Sequence, residues 1–499
     1  MTHKTLKQLD KEAVKKLQEI ENQEEPLKPR DRLGIPPQPM PEQSPEERVH
    51  NINEVGYGYT EAQARLEAMR CLQCKNKPCV DGCPVRIDIP AFVQAVADGD
   101  FAEAARIIKR NSLLPAVCGR VCPQETQCQQ PCTVGKSLKD TEKSVSIGRL
   151  ERFVADWERE NKGVTVPEIA EPTGKKVAVV GSGPASLVVA ADARRKGHDV
   201  TILEAFHKFG GVMMYGIPEF RLAKSIVQSE IDTLRKMGVK LVPNFVVGRT
   251  RKLHDLIEKD GYDAIFLGAG AGLPRMTDIE GENLVGVFSA NEYLTRANLM
   301  RAYDKERAET PIYNSRKVAV LGGGNVAMDA ARTAKRLGAE EVHIVYRRSE
   351  EEMPARVEEV AHAKEEGIQL HTLRNIKRVL GTEDGRVQSA EIAKYELGEP
   401  DDSGRRRPVE IEGSEYTMDV DTVIIAVGNL TNPLIKQTTP AIETDEKGHM
   451  LTDENGRTSM PRVYAGGDIV LGAATVILAM GEGRKAAASI NEFLKSEDK

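Results

Sequence analysis

Three hydropathic patterns succeed one another along the chain. Residues 1–37 are charged and broken by prolines; Leu6, Leu9, Ala13, Leu17 and Ile20 fall about a helical turn apart and would give a helix only a thin apolar stripe. This stretch is read as a solvated extension, with docking of that helix on a partner as the alternative. The prolines of Leu33–Pro41 bias the backbone before each of them away from helix, so that segment should run extended. Thr60-x-x-Gln63 can form a capping box, and good helix formers lead from it into Cys71. Ile89 to Ile108 predicts one or two short amphipathic helices broken at Asp98-Gly99-Asp100. Ile147 to Glu160 predicts another, with Leu150, Phe153, Val154 and Trp157 at core spacing. Asn161 to Gly174 reads as a linker.

The pattern then changes from helical spacing to short apolar runs. Lys175–Val180 is a continuous strand, followed by Gly181-Ser182-Gly183-Pro184-Ala185-Ser186, a helix to Lys196, and a strand Asp199–Leu203. The theme recurs at Lys317–Leu321, with Gly322-Gly323-Gly324-Asn325-Val326-Ala327, a helix to Leu337 and a strand Val342–Tyr346. A last block, Val463 to Asp468, leads through a glycine turn to a helix from about Ala474. The expected fold class is α/β: two Rossmann-like dinucleotide-binding domains preceded by an α-helical domain. The expected boundaries are an extension 1–37, a helical domain 38–172, a first dinucleotide domain 173–290 resumed at 431–499, and a second one, 291–430, inserted into it.

Composition narrows the class. At 499 residues the chain is too long for one core, and 40% hydrophobic with 29% charged residues is ordinary for a globular protein. A net charge of −6 leaves no basic footprint for nucleic acid. No charge-free apolar run reaches the ~18 residues of a membrane span, and no apolar signal region opens the chain, so a cytoplasmic location is expected. In that setting the cysteines are better read as metal ligands than as a disulfide framework.

The two glycine loops carry the first chemistry. Glycine permits the tight turn and close approach of a pyrophosphate, and the following helix N-terminus offers N–H donors to it. Gly181, Gly183, Pro184 and Ala185 form the first such cradle, and Gly323, Gly324, Asn325 and Val326 the second. Glu204 ends the first unit's second strand and suits a ribose diol while repelling a 2′-phosphate. The second unit instead runs into Arg347-Arg348, a guanidinium pair suited to a 2′-phosphate, unless these are plain surface arginines. The first site is therefore expected to hold FAD and the second NADPH. Gly211 allows a turn against the flavin nucleotide. Gly467-Asp468 places a carboxylate for ribityl hydroxyls, and the helix starting near Thr475 aims its dipole at the flavin ring.

All eight cysteines lie between Cys71 and Cys132, as Cys71-x2-Cys74-x4-Cys79-x3-Cys83-Pro84 and Cys118-x3-Cys122-Pro123-x5-Cys128-x3-Cys132. Zinc favours compact Cys-x2-Cys pairs, and only Cys71 and Cys74 have that spacing. The Cys-Pro steps and the longer intervals fit iron–sulfur runs better, so two 4Fe–4S clusters are expected. No cysteine past Cys132 could serve as a redox pair beside the flavin, so electrons should leave singly through the clusters.

Together these residues resemble the flavin/iron–sulfur NADPH oxidoreductases that include the glutamate synthase small subunit, over roughly residues 38–499. Within that group, the segments 115–125 (PAVCGRVCPQE) and 147–156 (IGRLERFVAD) are most similar to the large subunit of NADH-dependent reduced ferredoxin:NADP oxidoreductases. Glutamate synthase small subunits typically lack a cysteine at the position of Cys118. The resemblance implies a crossed ligand pattern: Cys71, Cys74, Cys79 and Cys132 on one cluster, and Cys83, Cys122, Cys128 and Glu151 on the other. Cys118 is then a spare thiol; the alternative makes it the eighth ligand. The resemblance also places Gly216–Leu222, with Arg221, near the flavin and Glu352–Ala355 in the NADPH domain. Ala223 and Ser186 depart from the usual proline and glycine of relatives.

The chain is accordingly expected to be an NADPH-dependent oxidoreductase subunit with FAD and two 4Fe–4S clusters, first as the electron-bifurcating subunit of a ferredoxin:NAD(P) transhydrogenase. Its partners would be a smaller FAD/iron–sulfur NAD-binding subunit and ferredoxin, in a hetero-oligomer. The alternatives are the electron-input small subunit of glutamate synthase, partnered by the large subunit, a sulfide or polysulfide reductase, or a zinc-stabilised nucleotide-binding scaffold. No side-chain catalyst is expected, because the cofactors carry the hydride chemistry.

Overall fold

The computed structural model describes residues 4–400 and 404–496. Helix α1 (Leu6–Glu21) opens it, capped by Thr5 in a capping box with Gln8. Its thin stripe is enough to dock: Leu9, Ala13, Leu17 and Ile20 are buried, the last three against Ile35, Ala62 and Leu66. The extension is thus not a solvated arm but a layer over the chain's own helix α2 (Glu61–Ala68), which the Thr60–Gln63 box caps as expected. Arg32 of the extension donates 2.9 Å to the Cys71 carbonyl and 3.1 Å to that of Met69, fixing the chain where α2 runs into the cysteines.

Short helices come next at Pro78–Asp81, Ile89–Ala97 and Phe101–Lys109, with the break at Asp98–Asp100. Helices α3 (Pro115–Val121) and α4 (Ile147–Asn161) then pack on each other. A Cβ on Gly119 would lie 2.5 Å from the Arg152 backbone nitrogen, so that glycine is needed for this approach, and one on Gly148 would lie 2.1 Å from Gln124 Nε2, so Gly148 makes room for the Gln124 side chain. Trp157 and Phe153 stack edge-on against Phe101 at 5.5 and 5.0 Å.

Two parallel sheets form the rest. The first is built from β1 (Lys176–Val180), β2 (Asp199–Leu203), β3 (Lys240–Val242) and β4 (Ala264–Leu267), with helix α5 (Pro184–Arg195) crossing from β1 to β2. The second holds β5 (Val287–Ser289), β6 (Lys317–Leu321), β7 (Glu341–Tyr346), β8 (Gln369–Thr372) and β9 (Thr422–Ile425), with helix α6 (Asn325–Arg336) between β6 and β7 and helix α7 (Val357–Glu365) between β7 and β8. Strand β10 (Val463–Ala465) then returns to the first sheet, ahead of the long helix α8 (Val476–Ser496). The strand orders are β10-β4-β1-β2-β3 and β5-β9-β6-β7-β8, each with its first glycine-loop strand in the middle. The burial of the strands accounts for their continuous apolar runs: Val177–Val179 and Val318–Val320 are all inaccessible to solvent. An antiparallel pair, Leu273–Pro274 with Asn429–Leu430, lies where the chain passes between the sheets and back. An antiparallel sheet of strands Arg374–Gly381, Val387–Pro400, Arg406–Glu410 and Tyr416–Asp419 sits on the second unit; the sequence motifs did not place it. Among the described residues no helix is long and apolar enough to cross a membrane.

Candidate functional site

Cys71, Cys74, Cys79 and Cys132 line one cavity, with Leu72, Ile89, Val93, Val134 and Ile147 forming its apolar walls. The sequence separates Cys132 from the other three, and the fold brings it back. Burial pushes the Cys71 thiol up to about 11 and the Cys79 thiol to about 12, with the neighbouring cysteines adding to both. Thiols so raised hold their protons until a cation displaces them. Two side chains reach its sulfurs: Gln73 Nε2 lies 3.5 Å from Cys71 Sγ, and Thr133 Oγ1 lies 3.1 Å from Cys74 Sγ.

The remaining cysteines gather about α4. Cys83, Cys122 and Cys128 are each raised, and the carboxyl of Glu151 contributes to all three. Glu151 is itself pushed up to about 8 by burial, and its Oε1 is buried with no hydrogen-bond partner. A charge-bearing oxygen so placed is costly unless a cation occupies the space beside it. Cys118 sits in the same group, fully buried; its Sγ lies 3.5 Å from Met480 Sδ and 4.0 Å from Ser112 Oγ. Both cysteine groups therefore offer donor sets that fit an iron–sulfur cluster. The second adjoins α8: besides the Met480 contact, a Cβ on Gly481 would lie 3.3 Å from the Pro84 carbonyl oxygen.

At the first glycine loop, Gly181 has φ +89° and a Cβ there would meet the Gly268 carbonyl oxygen at 2.6 Å. Gly183 caps α5, and a Cβ on it would meet nothing within 4 Å, so the loop mouth and the helix N-terminus are open to a ligand. Pro184 and Ala185 start the helix, buried. Gly211, at φ +54°, approaches so closely that a Cβ would lie 2.8 Å from Gly183 Cα. Glu204 is buried at the end of β2; its carboxylate accepts from Ser182 Oγ and, at 2.8 Å, from the Phe206 N–H. Burial raises Glu204 while the Ser182 hydroxyl pulls the other way. Ser182, which also accepts 2.9 Å from Gly210 N–H, escapes a reading by motif because the fingerprint leaves its position free. Gly467 has φ +77°, and Asp468, next to it, is pushed up to about 6 by burial. Thr475 caps α8, its Oγ1 accepting from Leu478 N–H at 3.3 Å.

At the second loop, Gly323 lies under the Tyr346 ring, where a Cβ would be only 2.6 Å away. Gly324 caps α6, Asn325 begins it, and Val326 is exposed there although the following Ala327 is fully buried. Arg347 stands at the surface. Arg348 turns inward, its Nε donating 2.9 Å to the Arg406 carbonyl on the antiparallel sheet. The fold thus presents the two guanidinium groups of the pair differently.

Arg221, expected near the flavin, is buried at the junction of the two units. It binds Asp329 of α6 through both carboxylate oxygens and lies 3.1 Å from Glu359 of α7. The same junction holds Arg332 and Arg336 over the Phe220 ring, at 4.8 and 4.0 Å, and Arg48 against Glu366 at 2.9 Å.

Comparison with known proteins agrees with this layout. Residues 175–483 match the family model described as pyridine nucleotide-disulphide oxidoreductase, and residues 48–163 that of dihydropyrimidine dehydrogenase domain II, 4Fe-4S cluster. The chain belongs to the pyridine nucleotide-disulphide oxidoreductase family. It is an FAD- and NAD(P)H-dependent oxidoreductase with an iron–sulfur-type helical domain at its N-terminal side, related to glutamate synthase small chains. The small chain of glutamate synthase [NADPH] from Halomonas elongata is 37% identical over 466 residues, 91% of this chain and 96% of that protein. The subunit beta of NADP(+)-dependent formate dehydrogenase from Moorella thermoacetica is 38% identical over 442 residues, 84% of this chain and 60% of that protein. Among solved structures, FprA of Mycobacterium tuberculosis in complex with NADPH superposes with a TM-score of 0.55 at 20% identity, over 66% of this chain and 86% of that one, a likeness of fold.

Proposed function

We propose that this oxidoreductase is the NADPH-dependent electron-input subunit of a larger assembly, with FAD at Gly181–Ala185, NADPH at Gly323–Val326 and two 4Fe–4S clusters on the crossed cysteine sets. The observation that carries the reading is the gathering of Cys71, Cys74, Cys79 and Cys132 around one cavity, with a second group about Glu151 touching α8. When bound, the flavin would exchange hydride with NADPH and the clusters would pass electrons singly. The chain's own part is to hold and orient. The N-termini of α5 and α6 would hold the two pyrophosphates, and Glu204 would bind the adenosine ribose of FAD. Arg347 would supply charge for the 2′-phosphate, and Asp468 and the start of α8 would hold the ribityl chain and ring. For the second set, Glu151 is the better eighth ligand: its orphaned Oε1 has nothing else to bind, whereas the Cys118 sulfur already has neighbours.

Full-length similarity to three glutamate synthase small chains supports a large amidotransferase chain as the partner. A second reading, the bifurcating subunit of a ferredoxin:NAD(P) transhydrogenase with a smaller flavoprotein and ferredoxin as partners, is supported by Cys118 and the segments 115–125 and 147–156. Native purification with mass spectrometry of co-purifying chains decides between them. A large amidotransferase chain supports the first reading; a small iron–sulfur flavoprotein supports the second.

A further inference from the structure

One residue joins the second glycine loop, through its backbone, to the helix that carries Cys118, through its side chain. Arg356 comes directly after the Glu352–Ala355 segment, and its backbone N–H donates 3.0 Å to Asn325 Oδ1, at the N-terminus of α6. Its guanidinium reaches across to the helical domain. Nη2 donates 2.9 Å to Gln124 Oε1, Nη1 donates 3.2 Å to the Arg120 carbonyl, and Nε lies 3.4 Å from both Glu125 carboxylate oxygens. The residue is buried, and Glu358 on α7 faces it at 3.2 Å.

Gln124 cannot absorb a displacement freely. It is buried between Cys122 and Cys128, its Nε2 lies 3.3 Å from the Gly119 carbonyl and 3.4 Å from that of Cys118, and it is wedged against Gly148 with no room for a Cβ. A nucleotide pressing on Asn325 therefore acts, through Arg356, on the loop that holds two thiols of the Glu151 group. The buried guanidinium charge would also move relative to that group, where the low dielectric makes small shifts count.

We propose that Arg356 is a positioning residue that couples occupancy of the Gly323–Val326 loop to the reduction potential of the Cys83/Cys122/Cys128/Glu151 centre. The proposal rests on the reading of that loop as the NADP(H) site and of that group as a cluster site. Coupling is reciprocal: if NADP⁺ binds tenfold differently to the oxidised and reduced protein, the centre's one-electron potential moves by about 59 mV.

The test uses the full-length holoenzyme, with FAD and iron content matched between variants. NADP⁺ affinity is read from the flavin difference spectrum, and cluster potentials from EPR-monitored titration without and with saturating NADP⁺. In wild type, NADP⁺ is expected to move one cluster's potential and leave the other's in place. In R356A, NADP⁺ binds at least tenfold more weakly and the shift at saturation disappears. R356K keeps the charge but cannot fork to Arg120 and Gln124 together, and is expected to keep a reduced shift. A full shift in R356A and R356K, or no shift in a wild-type protein that binds NADP⁺ and shows both cluster signals, overturns the coupling. A wild-type protein lacking the cluster signals or NADP⁺ binding overturns the functional reading, and the coupling with it.

Discussion

Arg221 Nη1 lies 2.8 Å from Asp329 Oδ1 and 2.7 Å from Oδ2, with both side chains buried where the first nucleotide unit meets the second. Burial raises the Asp329 carboxyl, and the Arg221 guanidinium bound to it pulls the other way. Asp329 sits just over one turn into α6, the helix whose N-terminus faces the proposed NADPH pyrophosphate. The pair therefore ties the first nucleotide unit to the helix that follows the second glycine loop. Removing one partner of a buried pair leaves an uncompensated charge, at about 3–5 kcal/mol. R221A is expected to keep its FAD but to bleach at least tenfold more slowly with NADPH in anaerobic stopped flow. D329N, which keeps a hydrogen-bond acceptor for Arg221, should show a smaller loss.

The α3–α4 contact yields a prediction about metal content. Gly119→Ala would drive a methyl group into the Arg152 backbone and separate Cys122 from Glu151. Iron analysis should fall from about eight atoms per chain toward about four, the content of one remaining 4Fe–4S centre. Full iron loading of G119A would show that the contact does not define the second site.

Nucleotide choice should rest on Arg347. Its exposed guanidinium is available to a 2′-phosphate, while Arg348 is turned to the Arg406 carbonyl. Arg347→Ala should raise KM for NADPH about tenfold, the loss of roughly 1.4 kcal/mol from a charge-assisted hydrogen bond, and leave KM for NADH nearly unchanged. Steady-state kinetics with an artificial acceptor measures both.

Glu230 gives a pH dependence that belongs to the fold. It faces the cavity between Leu114, Val164, Leu187 and Leu234, and burial pushes it up to about 7, with Lys109 pulling down and Glu158 pushing up. Because the folded state holds this proton more tightly than the unfolded chain, the stability it contributes is full below the ordinary Glu range and is lost as pH rises to about 7. Glu230→Gln has no such proton to lose. Calorimetry at pH 5 and pH 8 should therefore show the variant gaining in Tm relative to wild type at the higher pH.

The sequence revealed those parts of the structure that local chemistry dictates. Glycine loops and apolar runs located both sheets, and Cys spacing located the metal-binding candidates, because a tight turn or a thiol leaves few alternatives. What it concealed depends on elements far apart in the chain. Arg221 carries no local sign that Asp329 and Glu359 will pair with it. Arg347 and Arg348 look equivalent until the antiparallel sheet brings Arg406 to one of them. The stripe of α1 carries no local sign of what it docks on, since its partners Ile35, Ala62 and Leu66 come from other segments. Gly119 and Gly148 could have been noticed as small residues beside Cys118 and Glu151, but only the packed helices show that each has no room for a Cβ.

The central claim is that Glu151, with Cys83, Cys122 and Cys128, completes a second iron–sulfur centre while Cys118 stays unligated. EPR spectra and potentiometric titrations of Glu151→Ala and Cys118→Ala test it most directly. Glu151→Ala is expected to change the signal and potential of one centre, and Cys118→Ala to leave both centres as in wild type. A perturbed centre in Cys118→Ala together with an unaltered pair in Glu151→Ala would contradict the claim.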